Sequence, residues 1–459
     1  VRYALFWYCD EKKRGFICMH NNFTTTLYTT IVAATAFSTT AHAQHYYQAF
    51  PLSSPSQALD TEYGVGLAMG ESYLGVGSFR ENTSFGHDGR VYLYHADTGA
   101  YLRTVHSPNS APNGAFGWSI AFDGDLMLVG SYADFNVHSS SGAGYLFNAD
   151  TGALIADLVA DIGQAGDGSG WSVAMQGPLA LVGAPGYDQG AADAGGVHAY
   201  STSFLNQITT ILPDIPIAGE RFGWSVAIEG DYIVVGAPYI ADAPAQTGSV
   251  YVFDVLTGLQ LHRIVPAGSA PGDFVGGSVD ISEGIIAIGA PYHDTGANNA
   301  GAVYLYDAQT GTPIDSYHAS DPRPSDRFGV SVSIEAGTLV VGAPGRDQIG
   351  RINAGSVHIY SVDGTYEVTP AFIPMQQEFG RRTVISDGRI AGAGIGVLDI
   401  DGYVATFGRF CNADVNADGV RDFFDVSAFI KFAIDYNGDG AFDFFDVSAF
   451  LADYNSNCI

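Results

Sequence analysis

Apolar runs of four to six residues recur along this chain, separated by glycine, proline and short polar turns, and they return in a fixed order. One full example is Phe222-Gly223-Trp224-Ser225-Val226-Ala227-Ile228, then Glu229-Gly230-Asp231, then Tyr232-Ile233-Val234-Val235 and Gly236-Ala237-Pro238. The Phe-Gly slot falls at Tyr63-Gly64, Phe116-Gly117, Ser169-Gly170, Phe222-Gly223, Val275-Gly276, Phe328-Gly329 and Phe379-Gly380. Its glycine returns every 53 residues, with one final step of 51. A second glycine keeps the same beat at Gly77, Gly130, Gly183, Gly236, Gly289 and Gly342, and Gly392 is assigned to the seventh copy. Seven copies at a fixed period of this size indicate a repeat architecture, in which each unit packs on its neighbours.

Each copy predicts four short strands. In the fourth copy these are Trp224 to Ile228, Tyr232 to Val235, Ser249 to Phe253 and Leu259 to Val265, with Gly236 and Pro238 expected to stop the pairing of the second. The runs Ile233-Val234-Val235 and Val340-Val341 do not alternate with polar residues, as expected of strands covered on both faces. Stacked propeller blades supply that environment.

This pattern resembles the FG-GAP repeat proteins, whose best-known member is the propeller of integrin alpha chains. The resemblance covers about residues 45 to 407 and implies a mainly β fold, a seven-bladed β-propeller of four-stranded blades. The seventh copy has a third strand at Tyr403 to Phe407 but no fourth before Cys411, while Gln48 to Leu52 lies 53 residues before the fourth strand at Tyr101 to Val105. The N-terminal strand is therefore expected to complete the last blade, which removes two free sheet edges.

Composition adjusts this picture in two ways. The 58 glycines suit a chain built from tight turns, and 48 acidic against 19 basic residues leave no basic face for phosphate neutralisation. Nucleic acid is excluded as a partner, and divalent cations fit better. Residues 1–43 read as an upstream extension and signal peptide: Leu27 to Phe37 is moderately apolar and Ala41-His42-Ala43 precedes Gln44, an Ala-x-Ala cleavage site near Ala43. A disordered, Thr-rich leader is the other reading. No other stretch reaches 18 apolar residues, so no transmembrane segment is expected and the mature protein, propeller at 44–408 and C-terminal module at 409–459, is assigned to the extracellular space or cell surface.

Cys411 and Cys458 bracket the last 49 residues and either form a disulfide, worth roughly 4 kcal/mol for a loop of that size, or stay as free thiols. Within the bracket a twelve-residue pattern occurs twice. Oxygen donors stand at Asp414, Asn416, Asp418, Asp422 and Asp425, and again at Asp435, Asn437, Asp439, Asp443 and Asp446, with glycine sixth and the carbonyls of Val420 and Ala441 seventh. Calcium takes six to eight oxygens, and a loop with a sharp glycine turn brings such donors together, so about two Ca2+ ions are expected. The duplication resembles a type I dockerin, a small α-helical EF-hand-like module, which implies these residues as ligands and a cohesin-like or cell-envelope partner for 411–459. In place of that family's recognition pair stand Phe423-Phe424 and Phe444-Phe445, either core or an exposed docking patch.

On the propeller, Asp167, Glu220, Asp273 and Asp326 stand two before the Phe-Gly slot, and Asp188, Asp294 and Asp347 stand five after the second glycine. Both series fall on one face, as ligand contacts or as caps of turns. Integrin-type calcium loops are expected to be absent, because only tight turns such as Glu229-Gly230-Asp231 join first and second strands. Trp118, Trp171 and Trp224 share one phase, read as packing between blades rather than a sugar platform. His198 and His358 replace the tyrosine of Tyr251 and Tyr304, and His293-Asp294 is the only His-Asp neighbour pair in the acidic loops.

No nucleophile elbow, zinc spacing or phosphate loop is present, so no catalytic residue is assigned. The expectation is a calcium-binding, extracellular binding or adhesion protein that engages a protein or glycan through the propeller face. The alternative is a polysaccharide-degrading enzyme, in which two face carboxyls about 5 to 10 Å apart act as acid and base, or a dockerin-bearing component of such an assembly.

Overall fold

The computed structural model describes residues 46–56, 62–83, 86–87, 89–109, 113–135, 138–238, 247–347, 353–362, 367–368, 378–394 and 403–409. Among them are seven four-stranded antiparallel sheets, one per repeat, and no helix. Blade 4 contains Ser225–Glu229, Tyr232–Ala237, Ser249–Asp254 and Gln260–Ile264, hydrogen-bonded in that order. First strands of successive blades touch one another around the ring, from Tyr63–Met69 of blade 1 to Arg382–Ser386 of blade 7, so they line the central channel. Among the described residues no helix is long and apolar enough to cross a membrane.

Pairing in blade 4 runs two residues past the predicted stop. Gly236 pairs with Val250 and Ala237 with Ser249, and the strand ends only where Pro238 lacks an N–H to donate. The last blade closes as the spacing predicts. Tyr46–Ser53 lies antiparallel to Tyr403–Arg409, Tyr46 opposite Arg409 and Ser53 opposite Tyr403, as the outer strand of blade 7.

The core is distributed over the junctions between blades. Seven apolar clusters each draw on two adjacent blades; one unites Val250, Val252 and Ile264 of blade 4 with Val279, Ile286 and Ile288 of blade 5. Another joins Leu52, Ala391 and Val404 of blade 7 to Tyr63, Leu74 and Tyr92 of blade 1. A strand buried from both sides reads as an unbroken apolar run, which explains Ile233-Val234-Val235.

Both recurring glycines follow from this packing. The Phe-Gly glycines have φ between +83° and +95°, a region that L side chains rarely enter. The second glycines let two blades approach: a Cβ at Gly236 would overlap the Gly276 carbonyl of blade 5. That carbonyl accepts from Ser225 Oγ at 2.8 Å, and Ser119, Ser172, Ser278 and Ser331 repeat the latch at 2.8–2.9 Å. In blade 7 the serine slot holds Arg382, whose Nε donates to Val65 O of blade 1 at 2.9 Å.

Blade 7 also corrects the assignment of Gly392. Ser331 faces Gly342 in blade 6, whereas Arg382 faces Ala393, so Ala393 fills the second-glycine slot and Gly392 lies one residue earlier. Ala393 Cβ packs against Gly64 of blade 1, where a Cβ on that glycine would come within 3.0 Å of it.

An acid in the middle of a first strand is held by the next blade. Asp280, in the first strand of blade 5, accepts from Ile281 N at 2.9 Å and reaches into blade 6, where Ser333 Oγ and Ile334 N donate to it at 3.0 and 2.8 Å. Burial pushes its carboxyl up to about 6 against the pull of those donors. An unfolded aspartate titrates near 3.9. Between about pH 4 and 6 the folded state therefore holds this proton more tightly, and the contribution of Asp280 to stability falls as pH rises through that window. Asp280→Asn is expected to gain stability relative to the parent between pH 4.5 and 7 in denaturant titrations. A difference between the two proteins that is the same at both pH values would contradict this.

Candidate functional site

Six parallel bridges, such as Gly195 to Phe222 and Gly301 to Phe328, tie the start of a third strand to the Phe-Gly slot of the next blade. They put the loop after each second strand and the loop leading into the next blade on the same face. At its centre the channel opens into a concavity of about 500 Å³. Its wall is built from the first residues of the inner strands and the loops just before them.

The aromatic side chains of this wall lie together, in blades 2 to 5. Trp118, Trp171 and Trp224 stand at the same position of blades 2, 3 and 4, with ring centroids 5.0 and 4.5 Å apart and planes tilted by 49° and 48°. Phe274 and Tyr292 continue the arc at 5.5 and 5.6 Å. The indoles pack across blade junctions, as their shared phase predicts, yet each keeps part of its surface open to the mouth. A second concavity of about 480 Å³ adjoins, walled by Tyr132, Trp171, Trp224, Pro185 and Arg221.

The cationic side chains lie in blades 6 and 7. Arg327, Arg381 and Arg382 line the mouth, and among the described residues no Asp or Glu does. Glu378 beside it takes Arg327 Nη2 at 3.1 Å on one oxygen and Arg381 Nη1 at 2.8 Å on the other. Burial, and the neighbouring charge of Arg381, pull the Arg382 guanidinium down to about 10, a value at which it remains cationic at neutral pH. Sequence reading singled out none of these arginines. The available signal was Arg382 breaking a phase that holds serine in five successive copies.

The seven acidic candidates separate into two structural groups. Asp167, Glu220, Asp273 and Asp326 are at most 4% exposed. Glu220 accepts from Tyr251 Oη at 2.5 Å, Asp273 lies 2.6 Å from His293 Nδ1, and Asp326 pairs with Arg346 at 2.7 Å. Asp167 accepts from Gln164 N at 2.6 Å. Asp188, Asp294 and Asp347 are exposed and close their own loops, accepting from Asp193 N, Asn299 N and Asn353 N at 2.7–2.8 Å. In both groups the carboxylates are engaged in local hydrogen bonds. The His293 partner is Asp273, twenty residues back, and not its neighbour Asp294.

Two acids of the same kind escaped the sequence reading. Glu81 accepts from Tyr92 Oη and Asp134 from Tyr145 Oη, both at 2.5 Å, and both acids are buried. Blades 1 to 6 thus each bury one carboxylate near this face, from after the second strand in blades 1 and 2 and from before the first strand in blades 3 to 6. The position after the second strand then carries the varied neighbours Tyr187, His293 and Arg346 in blades 3, 5 and 6. Burial raises the carboxyl pKa of Asp134, Asp167 and Glu220, while hydrogen bonds to each pull the other way. His198 and His358 are buried third-strand residues, as the tyrosine phase predicts, and burial lowers the His198 pKa to about 4, so its ring stays neutral.

The calcium-loop positions Asp414, Asn416, Asp418, Val420, Asp422, Asp425, Asp435, Asn437, Asp439, Ala441, Asp443 and Asp446 lie outside the described residues, as do Cys411 and Cys458, the leader with Ala43, and the phenylalanine pairs. Among the described residues no three His, Cys, Asp or Glu side chains converge on a metal-sized position.

A family model described as FG-GAP repeat matches residues 105–147, 153–200, 206–253, 259–306 and 316–360, about half of the chain. Each segment begins at or near one fourth strand and ends at the third strand of the following blade. No curated protein matches the chain.

Proposed function

We propose that this chain, which belongs to the FG-GAP repeat family, is a secreted binding or adhesion protein that engages an extracellular protein or glycan through the channel mouth and carries a C-terminal calcium module for attachment. The observation that supports a binding role is the mouth itself, a concavity of about 500 Å³ with an aromatic arc on one side and arginines on the other, built on a closed ring of blades. Sites of this size with stacked rings and a few placed charges bind ligands without needing to move. The acidic loops around it act as caps that hold the face in shape.

The reading is tested by probing the full chain against a panel of extracellular polysaccharides and matrix proteins. Trp224→Ala is expected to cost about tenfold or more in affinity for whatever binds, while Leu256→Ala, at an exposed turn between third and fourth strands, leaves it unchanged. Equal loss in both variants, or none in Trp224→Ala, would move the ligand elsewhere. Breakdown of a polysaccharide probe over time would replace binding by hydrolysis.

For the C-terminal module we infer about two calcium ions from the paired donor sets. Calorimetry of the full chain is expected to give about two high-affinity ions, falling to about one in Asp446→Ala, since the twelfth position closes the loop. An unchanged stoichiometry in that variant would remove the module from the account.

A further inference from the structure

The mouth gathers positive charge on a chain that is acidic as a whole. The chain has 48 acidic and 19 basic residues, yet among the described residues three arginines and no carboxylate line this concavity. Glu378 satisfies two of them, one oxygen each. Arg382 has no ion pair among the described residues. Its Nε is held by Val65 O, and its two terminal nitrogens have no hydrogen-bond partner among the described residues. A half-buried guanidinium without an anion is costly, and such charges in folded proteins are paired or coordinate a ligand.

On these grounds, and resting on the binding role proposed above, we infer that the mouth takes an acidic polysaccharide. A uronate carboxylate docks on Arg382 and Arg381, and another ring of the same glycan chain stacks on the arc of Trp171 and Trp224 across the mouth. A guanidinium offers a planar fork that matches a carboxylate, and a pyranose presents a flat C–H face to an indole. The arc is shared between two adjoining concavities, since Trp171 and Trp224 wall both, and the second, lined by Arg221 together with the buried Asp167, has room for the next ring of the chain. An acidic peptide is the poorer fit. The aromatic arc presents ring faces rather than a row of backbone groups to pair with, which suits the C–H face of a pyranose better than an extended peptide.

The test titrates the full chain with tetraglucuronate, with a neutral glucose tetrasaccharide and with tetraglutamate, by calorimetry and tryptophan emission. Tetraglucuronate is expected to bind about tenfold or more tighter than either of the others and to change tryptophan emission. Arg382→Gln is expected to weaken it about tenfold, and Arg382→Lys to recover part of the loss. Because Arg382→Gln also frees the Val65 carbonyl, Arg381→Gln serves as the second variant, with about a threefold loss expected if the first does not fold. Equal affinity for the neutral sugar, preference for tetraglutamate, or no binding of tetraglucuronate overturns the inference. If another ligand from the panel is lost in Trp224→Ala while tetraglucuronate does not bind, the binding face stands and the acidic glycan falls.

Discussion

Gly236→Ala is expected to be among the most damaging single substitutions in the propeller, costing about 3 kcal/mol or more. The added methyl group has nowhere to go. Its Cβ would overlap the Gly276 carbonyl of the next blade and the Ser225 Oγ that donates to that carbonyl. Backbone on one side and a latched hydroxyl on the other leave no flexible side chain to swing away, so blades 4 and 5 must separate. Separation exposes the cluster that unites Val250, Val252 and Ile264 with Val279, Ile286 and Ile288. Gly230→Ala is the matched control. It sits in the turn between first and second strands at φ +58° with nothing within 4 Å of the added Cβ, so only backbone strain of about 1 kcal/mol is lost. Denaturant midpoints of the two variants should differ widely. Similar midpoints would mean that the approach of the blades is not the constraint that fixes this glycine.

Deleting residues 46–53 is expected to drive the chain into larger oligomers than the parent forms. That strand is the outer member of blade 7 and pairs along its length with Tyr403–Arg409. Without it the ring loses its hydrogen-bonded clasp, and Tyr403–Arg409 presents unpaired N–H and C=O groups of the kind that recruit strands from other chains. Leu52 also leaves the cluster it shares with Val404, Ala391 and Tyr63. Light scattering after size exclusion reads the oligomers directly. A synthetic peptide of residues 44–54 should return the truncated protein to the parent's oligomeric state by refilling the slot, and a truncated protein that keeps that state without the peptide contradicts the clasp.

The propeller is almost wholly legible, because the repeat writes the same instruction several times, while the helical module expected at 409–459 lies outside the described residues. One copy with an odd residue, Ser169 in the phenylalanine slot, does not obscure the other copies, and the missing fourth strand of blade 7 pointed straight to residues 46–53. The errors arose where the repeat loses its period. Two residues are missing before blade 7, so a glycine near the expected place was taken for the slot that Ala393 fills. Function was less legible for the same reason. Averaging over copies draws attention to what recurs, and the acidic series that recurs is engaged in capping turns and pairing with tyrosine, histidine and arginine. Glu81 and Asp134 supply the same buried carboxylate from another phase and stay invisible until the blades are superposed. The arginines of the mouth come from a single blade junction and its neighbour, and only the assembled ring brings Arg327, Arg381 and Arg382 opposite the tryptophans.

The clasp also governs the order in which the molecule can be made. The strand 46–53 leaves the ribosome before any blade exists, and its partner 403–409 is among the last parts of the propeller to follow. Blades 1 to 6 can assemble on one another as each emerges, because their sheets use only local strands. The first strand must stay unpaired throughout. A chain cut short anywhere before residue 403 has six blades at most and no slot for its own beginning, so the ring acts as a check on length: only a completed chain can hide both of its edges.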